Sequence, residues 1–254
     1  MDMSPDEGVD VVVEQEGTEG SRVTVAISLH NYRDHIAACL DSVSAQTIDV
    51  LDVVVVDDSS TDGGGDVVRR WLDTNGRRFN RYALLRHARN RGLAAARNAA
   101  FGRARTEFAF VLDADNMLYP RCLQQLVASL DNCAASFSYC YLEEFGAATG
   151  LQNIRPWSPD LQHGNTIDAM VLLRKQAWEA AGGYSMDMPV MGWEDYDLWF
   201  KIARMKGWGV QVPEILARYF VHSDSMLRTV TNPRHEELWA YLRSRHPEFF
   251  RARE

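Results

Sequence analysis

The 254-residue chain has no run of 18 apolar residues, and its start, "MDMSPDEG", has no basic and apolar leader. Such runs and leaders mark membrane spans and secretory signals. We therefore expect no transmembrane segment and a cytoplasmic location. The cysteines Cys39, Cys122, Cys133 and Cys140 form no Cys-x-x-Cys pair and lie among apolar neighbours. We expect reduced core thiols from them, rather than a metal site or a disulfide.

Basic charge is also scarce, since 27 Lys and Arg residues face 35 Asp and Glu residues, for a net charge of −8. Seven of the acidic residues precede Arg22, the first basic residue, so residues 22–254 carry a net charge of only −1. We expect residues 1–21 to be an acidic, flexible tail in which "VDVVV" is a candidate edge strand. No basic stripe with interleaved aromatic residues occurs, which argues against nucleic acid as a partner.

The rest of the chain alternates apolar strand-like runs with amphipathic helix-like runs. Four such rounds begin at the strand runs "RVTVAISL", "LDVVVVDD", "RYALLRH" and "EFAFVLDAD". This alternation predicts an α/β fold with a mostly parallel central sheet flanked by helices. The second half is less regular and predicts a smaller additional region. We expect a single domain over residues 22–254.

Three of these strand runs end in polar clusters, "SLHNY", "VVDDSSTD" and "LDADN". Ligands of open parallel sheets bind beyond the carboxyl ends of the strands. Alternate residues of a strand point to the same side, so Asp113 and Asp115 are expected to converge. Their mutual repulsion favours a bound divalent cation, and Mg²⁺ or Mn²⁺ suits oxygen ligands. The simpler interpretation is a polar strand end that caps the next helix.

Two further clusters have open interpretations. Asp57 and Asp58 precede "SSTDG" and fit a turn with a helix cap, although Asp58 could also accept hydrogen bonds from a nucleobase or ribose. In "NRGLAAARN", Asn90 and Arg97 are seven residues apart, so we expect them near one helical face. Arg97 is expected to pair with a phosphate or with one of the aspartates.

The segment "GWEDYDLWFKI" predicts a helix that begins at an acidic pair, where the helix dipole favours carboxylates. Glu194 and Asp195 are adjacent, so their side chains diverge by roughly 100° and only one need face a cleft. We expect Asp195 to act as a catalytic base and Glu194 to orient an acceptor hydroxyl. His222 in "YFVHSDS" has a structural interpretation and a second one as a third metal ligand.

These clusters resemble the inverting glycosyltransferases of family 2, which have the GT-A (Rossmann-like) fold. The matching segments, in the family's order, are "AISLHNYRDHIAACLDSVSAQT", "LDVVVVDDSSTDG", "NRGLAAARNAA", "FAFVLDADN" and "GGYSMDMPVMGWEDYDLWFKI". The resemblance implies transfer of a sugar from a nucleotide diphosphate sugar, UDP-linked, to a saccharide or other acceptor hydroxyl. It also implies a divalent metal, Mn²⁺ or Mg²⁺.

The resemblance assigns roles to individual residues as well. It implies that Asp58 recognises the base and that Asp113 and Asp115 form the DxD motif, with Asp115 as the principal metal ligand. It implies that Asp195 is the catalytic base. It also implies a nucleotide-binding half at residues 22–118 and an acceptor-side half at residues 119–254. The residues that it places near the nucleotide are Ser28, His30, Asn31, Asn90, Arg97 and Asp113.

The chain departs from the family in places, and two alternatives stay open. "SLHN" stands where the family commonly has a proline followed by a small residue, tyrosine and asparagine. The QxxRW motif of polymerising members is absent, which favours a single or limited transfer. A sugar-nucleotide pyrophosphorylase would need a glycine-rich loop after the first strand, and "SLHNY" has no glycine. A catalytically inactive nucleotide-sugar-binding module would not need the acidic pair in "WEDYD".

Overall fold

The computed structural model describes residues 8–222 and 227–250. The strands within these ranges are β1 (Val9–Gln15), β2 (Val23–Leu29), β3 (Asp52–Asp57), β4 (Arg81–His87), β5 (Phe108–Asp113), β6 (Met117–Leu118), β7 (Phe137–Gly146), β8 (Gly150–Gln152), β9 (Leu172–Arg174) and β10 (Gly209–Val221). The α-helices are α1 (Ile36–Ser44), α2 (Gly64–Asn75), α3 (Leu93–Arg103), α4 (Cys122–Asp131), α5 (Lys175–Ala180), α6 (Glu194–Arg204) and α7 (His235–Arg245). None of these helices is long and apolar enough to cross a membrane. The cytoplasmic location stays a prediction.

The four strand and helix rounds form a parallel block in the sheet. Strands β4, β3, β2 and β5 lie side by side in that order, and each neighbouring pair is parallel. Ser28, near the end of β2, pairs with Val56 of β3 and with Asp113 of β5. The carboxyl ends of β2, β3 and β5 therefore meet at one edge, where the sequence places its polar clusters.

The second half of the chain makes the sheet mixed. Strand β9 pairs antiparallel with β5 and β7, whereas β7 and β10 run parallel. The sheet order continues β5-β9-β7-β10-β6, and β8 pairs with β7. The predicted α/β fold is confirmed, with a mixed central sheet in which the parallel block carries the polar strand ends.

Part of the acidic N-terminal segment belongs to the sheet. Residues 9–15 form β1, which pairs antiparallel with β4 at the edge of the sheet. This confirms the candidate edge strand and corrects, for these residues, the expectation of a flexible tail. The physical reason is that Glu14 forms ion pairs with Arg81 and Arg103. Residues 1–7 lie outside the described residues.

Alternating strand side chains build one core on each face of the sheet. In β3, Val53 and Val55 pack with residues of α1, α2 and α4, whereas Val54 and Val56 pack with residues of α3 and α6. All four valines are fully buried. Successive side chains of a strand point to opposite faces, so an unbroken valine run is typical of a strand that is covered on both faces.

A buried ionic network fixes α7 to α6. Asp197 is fully buried and accepts hydrogen bonds from Ser185 Oγ (2.7 Å) and His246 Nε2 (2.8 Å). It also forms an ion pair with Lys201 Nζ at 3.0 Å. Burial acts to raise the pKa of Asp197, but His246, Lys201 and Ser185 lower it to about 2. The network therefore stabilises α6, the helix that begins with the acidic pair.

We expect Asp197→Asn to lower the free energy of unfolding by about 2 kcal/mol at neutral pH. The pKa of Asp197 falls from 3.8 to about 2 on folding, so its ionised form stabilises the fold above the unfolded value. This contribution disappears as the pH falls through about 2, and the variant should then match the wild type. Urea denaturation at both pH values measures it. Asp73→Asn, on the exposed side of α2, is the control, and equal losses in the two variants would contradict the assignment.

Candidate active site

Residues after β2 and before α3 contact one another through His30. Its Nδ1 lies 2.9 Å from the backbone oxygen of Asp58 and therefore carries the proton. Its Nε2 accepts from the side-chain amides of Asn90 (3.1 Å) and Asn31 (3.3 Å). Asn31 has a φ of 60°, a left-handed conformation in which Asn is enriched, and its Oδ1 accepts from the backbone N–H of Thr61. The structure thus brings His30, Asn31 and Asn90 together.

Asp58 lies beside this group, but its carboxylate is already engaged. The residue is 3% exposed. Its Oδ1 accepts from His87 Nδ1 (2.6 Å) and from the backbone N–H of Arg91 (2.8 Å), and its Oδ2 accepts from the backbone N–H of Gly92 (2.8 Å). Asp58 therefore holds the turn before α3 against the end of β3. Three of the four lone pairs of its carboxylate accept these hydrogen bonds, which leaves about one for a nucleobase. The contact with a base stays a prediction.

Arg97 of α3 forms an ion pair with Asp113 at the end of β5. Its Nη2 lies 3.1 Å and 3.2 Å from the two carboxylate oxygens, and the arginine is 3% exposed. Burial acts to lower the pKa of Arg97, but Asp113, Tyr184, Glu194 and Asp195 raise it well above its ordinary value. The guanidinium therefore stays charged. The same cation links the end of β5 with the start of α6.

The structure corrects one expectation about this helix. Asn90 and Arg97 do not share a helical face, because α3 begins at Leu93, directly after Gly92. Gly92 has a φ of 85°, a left-handed conformation, so the chain turns at this residue and the helix does not extend back to Asn90. Asn90 consequently contacts His30, whereas Arg97 reaches Asp113. Of the two interpretations of Arg97, pairing with an aspartate is confirmed.

Two buried hydroxyl groups near Asp113 have no hydrogen-bond partner among the described residues. They are Ser28 Oγ and Tyr184 OH, on residues that are 8% and 2% exposed. Ser28 pairs with Asp113 across the sheet, and the guanidinium carbon of Arg97 lies 5.6 Å from the centre of the Tyr184 ring. Buried polar atoms without a partner are uncommon in folded proteins. Ser28 lies where the sequence places a nucleotide-binding residue.

Asp115 and His222 contact each other across 107 residues of sequence. His222 Nε2 lies 2.9 Å from Asp115 Oδ2. After burial, the charge of Asp115 is the largest cause of the raised pKa of Tyr32. Burial and the charge of Asp113 raise the pKa of Asp115, while His222 lowers it. Beside them, a cavity of about 370 Å³ is lined by residues 30–35, Asp62 and His222.

The three predicted metal ligands are not assembled as a set. Asp113 is paired with Arg97, which leaves Asp115 and His222 in direct contact. Within residues 8–222 and 227–250 no three His, Cys, Asp or Glu side chains form a metal-binding group. A carboxylate and an imidazole nevertheless fit a divalent cation, because Mg²⁺ and Mn²⁺ usually keep positions for water and substrate phosphates. The residues that would hold it are Asp115 and His222.

Glu194 and Asp195 occupy the first turn of α6, and both are buried. Glu194 Oε2 accepts from the backbone N–H of Gly192 (2.8 Å), so it binds its own loop. Asp195 Oδ2 accepts from Asn165 Nδ2 (2.8 Å). Burial raises the pKa of both carboxyl groups, and Arg97 lowers both. A carboxylate in this environment is a stronger base than an exposed one.

Three residues at the site lie outside the set that the sequence singles out. They are Tyr32, Asp168 and Tyr219. Burial and then Asp195 raise the pKa of Asp168 to about 7. Burial and then Asp168 raise the pKa of Tyr219. The available signal was the run "NTID", which puts an aspartate next to an otherwise apolar stretch.

Solved structures of glycosyltransferases share the GT-A fold with this chain. TarS 1–349 from S. aureus, in complex with UDP-GlcNAc, has a TM-score of 0.69 and 17% identity, over 82% of this chain and 61% of that one. The mannosyltransferase PcManGT from Pyrobaculum calidifontis, in complex with GDP-Man and Mn²⁺, has a TM-score of 0.65 and 24% identity, over 85% and 61%. These likenesses show the fold. The present chain spans 61% of the length of both solved chains.

Sequence comparison gives the family. The model of glycosyl transferase family 2 matches residues 24–186, so the chain belongs to that family and is a glycosyltransferase. A relative from Escherichia coli, the UDP-Glc:alpha-D-GlcNAc-diphosphoundecaprenol beta-1,3-glucosyltransferase WfaP, is 26% identical over 210 residues. The alignment covers 80% of this chain and 79% of WfaP. The family match includes Asp58, Asp113 and Asp115, whereas Asp195 and His222 lie beyond it.

We expect Arg97→Gln to lower the free energy of unfolding by about 3 kcal/mol or more, because buried carboxylates would lose their cation. Their pKa values would rise further above the unfolded values, so the loss should shrink as the pH is lowered and the carboxyl groups become protonated. Urea denaturation at neutral and mildly acidic pH measures both effects. Arg105→Gln is the control, since Arg105 is exposed and pairs with Glu16. Equal losses in the two variants would contradict the role of Arg97.

Proposed function

We propose that the protein is a metal-dependent, inverting glycosyltransferase that moves a sugar from a UDP-linked donor to an acceptor hydroxyl. The observation that carries the proposal is the position of Arg97. Its guanidinium contacts Asp113 and also interacts electrostatically with Glu194 and Asp195. The strand end that we propose to meet the donor and the buried candidate base therefore share one cation, which supports a common site.

The donor end of the proposed site combines the His30 group with the pair of Asp115 and His222. His30, Asn31 and Asn90 present polar side chains beside the cavity for a nucleoside. Mn²⁺ or Mg²⁺ held by Asp115 and His222 would supply positive charge to the leaving diphosphate. The Mn²⁺ in the PcManGT complex supports this choice of metal.

The acceptor end depends on Asp195. In the proposed reaction this carboxylate takes the proton of an acceptor hydroxyl, whose oxygen forms a bond to the anomeric carbon. The bond from that carbon to the diphosphate oxygen breaks, and its electron pair leaves with the diphosphate. Attack from the opposite face inverts the anomeric configuration. Arg97 and Asn165 favour the ionised form of Asp195 against the effect of burial, as a base at neutral pH requires.

The choice of UDP and of a saccharide acceptor draws on named relatives. WfaP is named as a UDP-Glc transferase whose acceptor is a GlcNAc-diphosphoundecaprenol, and TarS has been solved with UDP-GlcNAc. PcManGT, with GDP-Man, is the contrasting case. We therefore propose a UDP-sugar donor and an acceptor that carries a saccharide.

We expect calorimetry to detect Mn²⁺-dependent binding of UDP, tighter than that of GDP or dTDP. Asp115→Ala should weaken UDP binding by about tenfold or more in the presence of Mn²⁺, because a metal ligand is lost. Asp66→Ala, an exposed aspartate of α2, is the matched control. UDP binding that is independent of metal and of Asp115 would contradict the metal site. A preference for GDP would contradict only the choice of nucleotide.

We expect Asp195→Asn to keep the affinity for UDP and to lose about 100-fold or more of the sugar-transfer rate, since the general base is removed. Rates of UDP release from UDP-glucose and UDP-GlcNAc measure this. Asp160→Asn, an exposed aspartate in the loop before β9, should retain the wild-type rate. Unchanged turnover in Asp195→Asn would remove Asp195 from the mechanism. Nucleotide binding without turnover in the wild type would favour an inactive binding module.

A further inference from the structure

The segment of residues 165–170 is fixed against the start of α6. Asn165 donates its side-chain amide to Asp195 Oδ2 at 2.8 Å. Two residues further, the backbone oxygen of Ile167 accepts from the indole N–H of Trp199, on α6, at 3.1 Å. These two hydrogen bonds join the segment to the helix that carries the candidate base.

Asp168 lies in this segment with its backbone and one carboxylate oxygen held in place. Its backbone N–H donates to Asn153 Oδ1 (2.7 Å), and its Oδ1 accepts from the backbone N–H of Met170 (2.9 Å). Asn153 is itself buried, which makes the anchor firm. No donor among the described residues lies within hydrogen-bond distance of Asp168 Oδ2. This oxygen is also not one of the buried side-chain atoms that lack a partner, so solvent can reach it. Oδ2 is thus oriented and open to a ligand.

Asp168 lies within electrostatic range of groups at both ends of the site. After burial, Asp195 is the group that most raises its pKa, and Asp113 and Arg97 also act on it. Tyr219, on β10, interacts with the same groups. After burial, the charges of Asp168, Asp113, Asp115 and Asp195 all raise the pKa of its hydroxyl. Asp168 is therefore close to the candidate base and to the strand end that meets the donor.

A buried hydroxyl belongs to the same part of the site. Tyr184 is 2% exposed, and its OH has no partner among the described residues. Arg97, Asp195, Asp113 and Glu194 act on that hydroxyl, so it belongs to the same group of charges.

We propose that Asp168 is an acceptor-positioning residue, whose Oδ2 binds a second hydroxyl of the acceptor beside the one that Asp195 deprotonates. The inference rests on the proposed transferase function and names the acceptor more closely. An acceptor with neighbouring hydroxyl groups, such as a pyranose, contacts both carboxyl groups, whereas an alcohol with one hydroxyl contacts Asp195 alone. Holding the acceptor at two points orients the attacking oxygen.

The test measures UDP release from UDP-glucose and UDP-GlcNAc with Mn²⁺. The added acceptors are methyl glycosides of glucose, galactose, mannose and GlcNAc, a short-chain alkyl GlcNAc diphosphate, and propanol. We expect at least one sugar, but not propanol, to accelerate UDP release saturably. Asp168→Ala should raise the half-saturating sugar concentration by about tenfold or more, with a smaller change in the maximal rate, as expected for a lost hydrogen bond.

The conservative variant separates positioning from folding. Asn keeps the size of Asp168 and an oxygen that can bind the Met170 N–H, and its amide can still bond a hydroxyl. Asp168→Asn should therefore restore most of the sugar affinity that Asp168→Ala loses. The affinity for UDP, measured by calorimetry, should be the same in both variants. Asp160→Asn is the control for removal of a carboxylate from the same loop.

Other outcomes would overturn the inference in distinguishable ways. If the wild type releases UDP but no sugar accelerates it more than propanol, the acceptor role of Asp168 is wrong and the transferase proposal stands. If Asp168→Ala loses UDP affinity and thermal stability together, and Asp168→Asn does not restore sugar affinity, the role is structural. If the wild type neither binds UDP nor releases it from a UDP-sugar, the proposed function fails and the inference fails with it.

Discussion

The buried guanidinium of Arg97 is the charge on which the arrangement of the site depends. The half-buried carboxylate of Asp113 on β5 and the buried carboxylates of Glu194 and Asp195 on α6 interact with it, and without a cation their like charges would repel one another. The helix that carries Arg97 makes this possible, because its alanines at positions 94, 95, 96, 99 and 100 let it pack closely on the sheet. A small-residue helix therefore determines how near the strand end and the start of α6 can lie to each other.

Around that cation, the carboxyl groups have different environments and therefore different protonation behaviour. Asp195 receives an amide hydrogen bond and the charge of Arg97, which favour its ionised form. Asp168 holds its proton to about pH 7, because burial and then the charge of Asp195 raise its pKa. Asp115 has His222 as its partner. Neighbouring carboxyl groups with different proton affinities are what separates a base from a hydrogen-bond donor within one site.

Much of the fold followed from local patterns, because apolar runs and helical periodicity are properties of neighbouring residues. The strand ends at Asp58 and Asp113, and the helix start at Glu194, were predictable for this reason. The contacts of those residues were not. Asp58 binds His87 and the backbone of residues 91–92, about 30 positions away, and no local pattern reveals these donors.

The remaining departures have similar causes. The positive φ of Gly92 delays α3 and separates Asn90 from Arg97. Asp168 interacts with Asn153, Asp195 and Tyr219, which the fold of the second half of the chain brings close to it.

Strand β1 has a further consequence for handling the protein. A chain shortened to begin at residue 22 would uncover the hydrogen-bonding edge of β4 and leave Arg81 and Arg103 without Glu14. An uncovered strand edge is a template for intermolecular pairing, so the acidic segment protects the protein against aggregation.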